Sequence, residues 1–399
     1  MSVLVGGLTA RYLGAETLGL ISFVYSLTAI VSPLGNLGVR DSLAVLLCND
    51  SYPNNLTSTA FFIELVGSSL VAILIVPISF FSGGLLAAYF SVMAVLFNIF
   101  QSSEILETEL INRKQGQRVA FVGVMQTTGG VMASLLALFL KAPSFVFAGL
   151  AAFQSFLRML FLMASTRGID HPLKRWPSLK TTKPLIAKGI PLMISNLLFV
   201  SYLRSDQVML EWLRNSTEVG IYSVASKVSE SLYVVPILIA QTFVPFLVSQ
   251  GRETSLPASK GLKRNEYTSK LYQLSWFTGI ALSLAIAFIF PYFVKIIFGS
   301  QFTESAKVLI WLAPVGFATS IGYASDSWLK VKGFQSSLIA RGLFGAITNI
   351  ALNFLLIPKF GVYGAAFSTS FSQLTSVVVT GLLSPTTRAN TLRLLLPFC

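Results

Sequence analysis

Charged residues make up only 11% of this 399-residue sequence, against 54% hydrophobic residues. A soluble domain carries roughly 25% charge because its surface faces water, so this scarcity excludes an ordinary water-soluble fold. Histidine occurs once, at His171, in a polar stretch beside Pro172. One histidine leaves no histidine metal site and no histidine-based triad. The two cysteines, Cys48 and Cys399, are too few for a disulfide framework and form no C-x-x-C pair. No Gly-Lys-Ser/Thr phosphate loop is present, so ATP binding in the usual way is not expected. The expected sets of catalytic residues, metal ligands and cofactors are therefore all empty.

What the sequence has in quantity is apolar blocks of about 20 residues, the length that crosses roughly 30 Å of hydrocarbon as a helix. Barrel strands would alternate over about 10 residues, and these blocks do not. Spans are expected at 1–10, 18–39, 60–81, 84–103, 119–140, 144–165, 185–213, 219–248, 271–297, 306–329, 338–358 and 361–384. The fold class is an all-α integral membrane protein with about 12 transmembrane helices. The hydrophobic start reads as part of a first span rather than a cleavable signal peptide. Ten residues before Arg11 reach only about 15 Å as a helix, so a truncated first helix is expected.

An internal echo supports that expectation. Gly14-Ala-Glu-Thr-Leu-Gly-Leu-Ile-Ser22 aligns with Asn215-Ser-Thr-Glu-Val-Gly-Ile-Tyr-Ser223 at an offset of 201. Each segment follows an odd-numbered span and opens an even one, as in two related six-helix halves. The expected organisation is an N-terminal six-helix lobe over 1–165, a basic linker over 166–188, a C-terminal six-helix lobe over 189–384 and a tail over 385–399.

Lysine and arginine set the orientation. Alternate loops on one side carry 19 of the 29 basic residues, those on the other side 6, and Arg158, Arg204, Lys227 and Arg341 fall inside spans. The heavier side is expected to be cytoplasmic, which places the C-terminus inside the cell and the chain in the plasma membrane. On a soluble protein the net charge of +13 would suggest nucleic acid. Here basic loops retained by topology account for it, with anionic lipid head groups as a further use, and no nucleic-acid partner is expected. The Asn55-Leu-Thr57 sequon falls on the inner side and is discounted.

Three segments carry a resemblance: Ala10-Arg-Tyr-Leu-Gly14 followed by Gly19, Arg204-Ser-Asp-Gln-Val-Met-Leu210 followed by Gly220-Ile-Tyr-Ser-Val-Ala225, and Asn349-Ile-Ala-Leu-Asn-Phe-Leu-Leu-Ile-Pro-Lys-Phe-Gly-Val-Tyr-Gly-Ala-Ala366. In order and spacing the chain resembles the polysaccharide-biosynthesis, O-antigen-type flippases of the multidrug/oligosaccharidyl-lipid/polysaccharide exporter superfamily. The resemblance implies two six-helix lobes around a central cavity. It also implies an oligosaccharide repeat unit on a polyprenyl diphosphate as substrate, moved from inner to outer leaflet for surface polysaccharide such as lipopolysaccharide. Membrane lipids, a polysaccharide polymerase and chain-length machinery are the partners it implies.

Ionisable residues inside a membrane cost on the order of 2.5–3.5 kcal/mol by insertion scales and persist where they line a cavity or find a partner. Arg204 and Lys227 lie deep in successive spans and are expected to attract the diphosphate, with Arg158 as a third deep cation. Arg40 and Arg341, near the cytoplasmic mouth, are candidates for first capture, although snorkelling also accounts for their position. Asp206, Glu230 and Glu64 are candidate coupling acids, each open to the alternative of a structural counter-ion; Lys227 and Glu230 share a helix face. Glu104, Glu107 and Glu109 read as a solvated helix end balanced by Arg113 and Lys114. A flippase working by alternating access, not an enzyme, is the expected function. The alternatives are a cation-coupled drug exporter of the same superfamily and a membrane enzyme acting on polyprenyl-linked sugars, against which the short outer loops weigh.

Overall fold

The computed structural model describes residues 2–47, 55–166, 176–252 and 266–397. Cys48, His171, Cys399 and the loop residues Arg167, Asp170, Lys174, Arg175, Lys260, Lys263 and Arg264 lie outside the described residues. Among the described residues every regular element is helical, as the blocks of apolar residues predict: in lipid a helix satisfies its own backbone.

The chain divides into two compact units, Met1–Trp212 and Leu213–Cys399. The first holds α1 (Ser2–Asn36), α2 (Val39–Leu47), α3 (Leu56–Gln101), α4 (Glu104–Asn112), α5 (Gly116–Phe139), α6 (Ser144–Ser165) and α7 (Leu179–Leu213). The second holds α8 (Ser216–Ser231), α9 (Val234–Arg252), α10 (Glu266–Leu284), α11 (Phe290–Phe298), α12 (Thr303–Val331), α13 (Gln335–Phe360), α14 (Val362–Leu383) and α15 (Pro385–Leu395). The sequence assigns the 185–213 span to the second lobe; α7 clusters with the first unit, where Ser26 donates to Gln207 Oε1 at 2.6 Å.

Among the described residues ten continuous helical stretches are long and apolar enough to cross a membrane. Two of them are broken inside, giving twelve segments in the expected order. As a straight rod the 46 residues of α3 would measure about 69 Å, over twice the hydrocarbon thickness. The rod breaks at Gly83 and Gly84, where Gly84 has φ 66° and ψ −155°, a backbone state reserved for glycine. α1 breaks at Gly14 (φ 80°). At the echo position 201 residues on, Asn215 is extended between α7 and α8 and its side chain accepts from Glu218 N at 3.0 Å. The echo thus marks two chain breaks.

A short π-helical turn, Ala285–Ile289, joins α10 to α11 just ahead of Pro291. A proline has no N–H to return to the preceding turn, and the wider turn absorbs the fault. In the first unit Val39, Leu43, Leu46, Leu56, Ala60, Ile105 and Leu185 form one buried cluster, seating α2 against α3, α4 and α7. The second unit's cluster includes Leu247, Leu271, Tyr272, Ile321, Val377 and Leu394. Leu394 belongs to α15, so the stretch read as a tail is a helix packed on its unit.

Candidate functional site

The first unit's chemistry is concentrated where α2 begins. Leu37 (φ 50°) and Gly38 (φ 66°) turn the chain out of α1, and Gly38 N donates to Asn36 Oδ1 at 3.0 Å. With Val39, Leu43 and Leu46 buried in the core, Arg40 is free to reach across α3 and α4. Its guanidinium donates to Glu64 Oε1 and Glu104 Oε2 in close ion pairs, and to Gln101 O at 3.2 Å. Glu104 continues the chain of charges to Arg158 on α6, Oε1 to Nε at 3.6 Å. Arg158 in turn pairs closely with Glu107 and donates to Gln126 Oε1 on α5 at 2.9 Å. Five ionisable side chains from four helices of one unit therefore form a continuous network, three glutamates against two arginines.

This corrects the reading of Glu104 and Glu107 as a solvated helix end. The chain turns at Ser102 and Ser103 between α3 and α4, and the i, i+3 spacing then puts both carboxylates on one face, toward α2 and α6. Glu109 does pair with Arg113, accepting from its Nε at 2.6 Å, but it is buried rather than solvated and also accepts from Thr57 Oγ1 at 2.7 Å. Arg40 and Arg158 are accordingly not bare cations. A phosphate reaching either would compete with a carboxylate already in place.

Beside the network lies a cavity of about 290 Å³ lined by Ser32, Arg40, Glu64, Ser68, Asn98 and Asn196, among others. Ser32 donates to Asn98 Oδ1 at 3.1 Å. Glu64 is 2% exposed, and its second oxygen, Oε2, is buried with no hydrogen-bond partner among the described residues.

The other candidates fall elsewhere. Arg204, half-buried, and Asp206, 2% exposed, share α7. Lys227, exposed, and Glu230, half-buried, share α8. All four engage other groups. Arg341 on α13 is 8% exposed and donates to Asp326 Oδ1 at 2.5 Å and Ser325 Oγ at 2.9 Å on α12, an intra-unit pair that pins two helices together.

The strongest resemblance segment has a backbone explanation. Gly361, between α13 and α14, has φ 55°, and a Cβ there would stand 2.3 Å from Glu218 Oε2. That oxygen accepts from Val362 N at 3.1 Å, capping α14, and Arg214 Nε donates to Ile357 O at 3.0 Å. Arg214 and Glu218, which lie between the two parts of the second segment, thus hold the turn of the third. Sequence alone did not reveal Glu104, Glu107 or Gln126 as partners; the i, i+3 spacing of the two glutamates was the available signal.

The sequence family described as "Polysaccharide biosynthesis protein" matches residues 1–250, well over half of the chain. The chain belongs to that family. Among curated proteins it is similar to the "Probable low-salt glycan biosynthesis flippase Agl15" of Haloferax volcanii, with 25% identity over 382 residues, covering 93% of this chain and 77% of the relative. In fold it is similar to an inward-facing multidrug resistance MATE family transporter of the MOP superfamily, with a TM-score of 0.75, 14% identity and coverage of 99% of this chain and 95% of that one. A structure of the lipid II flippase MurJ gives a TM-score of 0.70 at 16% identity, covering 99% and 88%. At such identities these two structures establish the helical transporter fold of this family member and nothing finer.

Proposed function

We propose that the chain is a flippase that carries an oligosaccharide linked to a polyprenyl diphosphate across the plasma membrane by alternating access. The observation that carries this reading is the similarity to a glycan biosynthesis flippase along 93% of the chain, through both compact units. In this proposal Arg204 and Lys227 attract the diphosphate, for which arginine offers two parallel donors and lysine a point charge. Arg40 and Arg341 serve first capture, and Arg158 supports Arg40 through Glu104. The chain is a transporter and not an enzyme, its C-terminus and heavy basic loops face the cytoplasm, and its product feeds a surface-polysaccharide polymerase with its chain-length machinery.

The test is complementation of a bacterium lacking its own repeat-unit flippase. The parent chain restores surface polysaccharide, and Arg204→Ala at equal membrane abundance loses it. Restoration by both keeps the flippase and removes Arg204 from its mechanism. Failure of a well-expressed parent across several repeat units moves the reading to a cation-coupled drug exporter.

A further inference from the structure

We propose that the polar cavity bounded by α1, α3 and α7 seats one neutral sugar ring of the lipid-linked glycan. The lipid linkage rests on the flippase reading; the fit of a sugar ring does not. The cavity lies within the first unit and measures about 290 Å³. At roughly 30 Å³ for each water, it holds on the order of ten of them. That is room for a single ring and not for an oligosaccharide.

Unspent hydrogen-bonding capacity is the first observation. Ser68 and Gln101, from the two arms of α3, and Asn196, from α7, all line the cavity. None of the three spends a side-chain hydrogen bond on another described residue. A hydroxyl or a primary amide can both donate and accept, and so can every hydroxyl of a sugar. Polar groups left unmade away from water are costly, so such a wall calls for a polar occupant.

The charges narrow the choice. Arg40 and Glu64, the two charged side chains of the lining, are paired with each other. A cationic drug meets no unopposed carboxylate there, and a free anion no unopposed guanidinium. The aromatic wall narrows it again. Tyr25 and Phe97 line the same cavity with ring centroids 5.8 Å apart, edge to face at 77°. The Tyr25 hydroxyl is spent on Ala148 O at 2.9 Å, so this residue offers the cavity its ring. Water gains nothing from an aromatic wall. A pyranose has an apolar C–H face and a rim of hydroxyls, and ligand sites combine apolar walls with a few placed polar groups. A ring seated here lies beside Arg40, whose proposed part is first capture of the diphosphate. The sugar nearest the diphosphate is therefore the one the cavity takes.

The purified full chain in detergent is tested with a panel of methyl glycosides: a hexose, a deoxyhexose and an N-acetylhexosamine. Saturation-transfer NMR reads contact with their ring protons. At least one is expected to bind the parent, and Asn196→Ala and Gln101→Ala each weaken it about tenfold or more, the worth of one or two hydrogen bonds. Neither side chain holds the fold through a hydrogen bond, so both variants are expected to fold; if one does not, the other decides. No contact from any glycoside, or contact of equal strength in the variants, overturns the pocket. In complementation the same variants are expected to lose repeat units that the parent restores. Unchanged restoration assigns the pocket to a free sugar and overturns its part in transport. A parent that restores polysaccharide yet binds no glycoside loses the pocket and keeps the flippase. A parent that binds a glycoside through Asn196 and Gln101 yet restores nothing keeps the sugar site and loses the flippase reading.

Discussion

Arg40 is the side chain on which the first unit's electrostatics turn. It holds Glu64, almost fully buried, and Glu104, partly buried. Removing one partner of a buried pair costs about 3–5 kcal/mol because the other charge is left uncompensated, whereas removing both is far cheaper. Arg40→Ala is therefore expected to lower the melting temperature of the purified protein strongly. Adding Glu64→Gln to it recovers part of the loss; a double variant as unstable as the single one refutes the pairing as the cause. Arg341 offers the same comparison in the second unit, with a smaller effect because Asp326 is 30% exposed on its side chain.

At the scale of elements, turns and helix crossings rest on single positions. Gly361 lies in a backbone region that costs a non-glycine residue about 1–3 kcal/mol, and a methyl group there would run into the Glu218 carboxylate. Gly361→Ala is expected to destabilise the second unit by more than Glu218→Ala, which removes a cap worth about 0.5–2 kcal/mol; unfolding in denaturant ranks the two. In the first unit a Cβ on Gly67 would stand 1.8 Å from Gly35 O, so α1 and α3 touch backbone to backbone. α15 is held by Tyr272, which donates to Asn390 Oδ1 at 2.9 Å, and by Trp276, which donates to Leu394 O at 2.7 Å. Ending the chain at Ser384 strips both donors of their acceptors. Tryptophan emission is expected to shift to the red and the melting temperature to fall; unchanged emission would mean that α15 contributes nothing to the unit.

For the whole molecule the testable matter is sidedness. α5 runs from Gly116 to Phe139, with Lys114 exposed before it and Lys141 exposed after it. A helix of 24 residues measures about 36 Å and spans the bilayer, so its two ends open on opposite sides. With Cys48 and Cys399 changed to serine, Lys114→Cys is expected to react with an impermeant thiol reagent only from the cytoplasmic side. Lys141→Cys is expected to react only from outside. The reverse pattern inverts the topology, and with it the direction in which a lipid-linked sugar would be moved.

Sequence by itself determined the membrane, the helices and their order. Hydropathy over 20 residues is a local quantity, and in lipid a continuous apolar stretch has no stable alternative to a helix. The break at Gly14 and its echo at Asn215 were legible for the same reason, since a turn is written in the few residues that make it. What the deep charges face was not legible. Arg40, Glu64, Glu104, Arg158 and Glu107 come from four helices as far apart as 118 positions in the chain, and no periodicity relates them. Depth marked Arg158, and charge near an inner span end marked Arg40 and Glu64, but the same marks fit a bare charge and a paired one equally well. Only packing, which seats α2 on the core and turns α4 inward, decided that these arginines are held by carboxylates and that one carboxylate oxygen is left over.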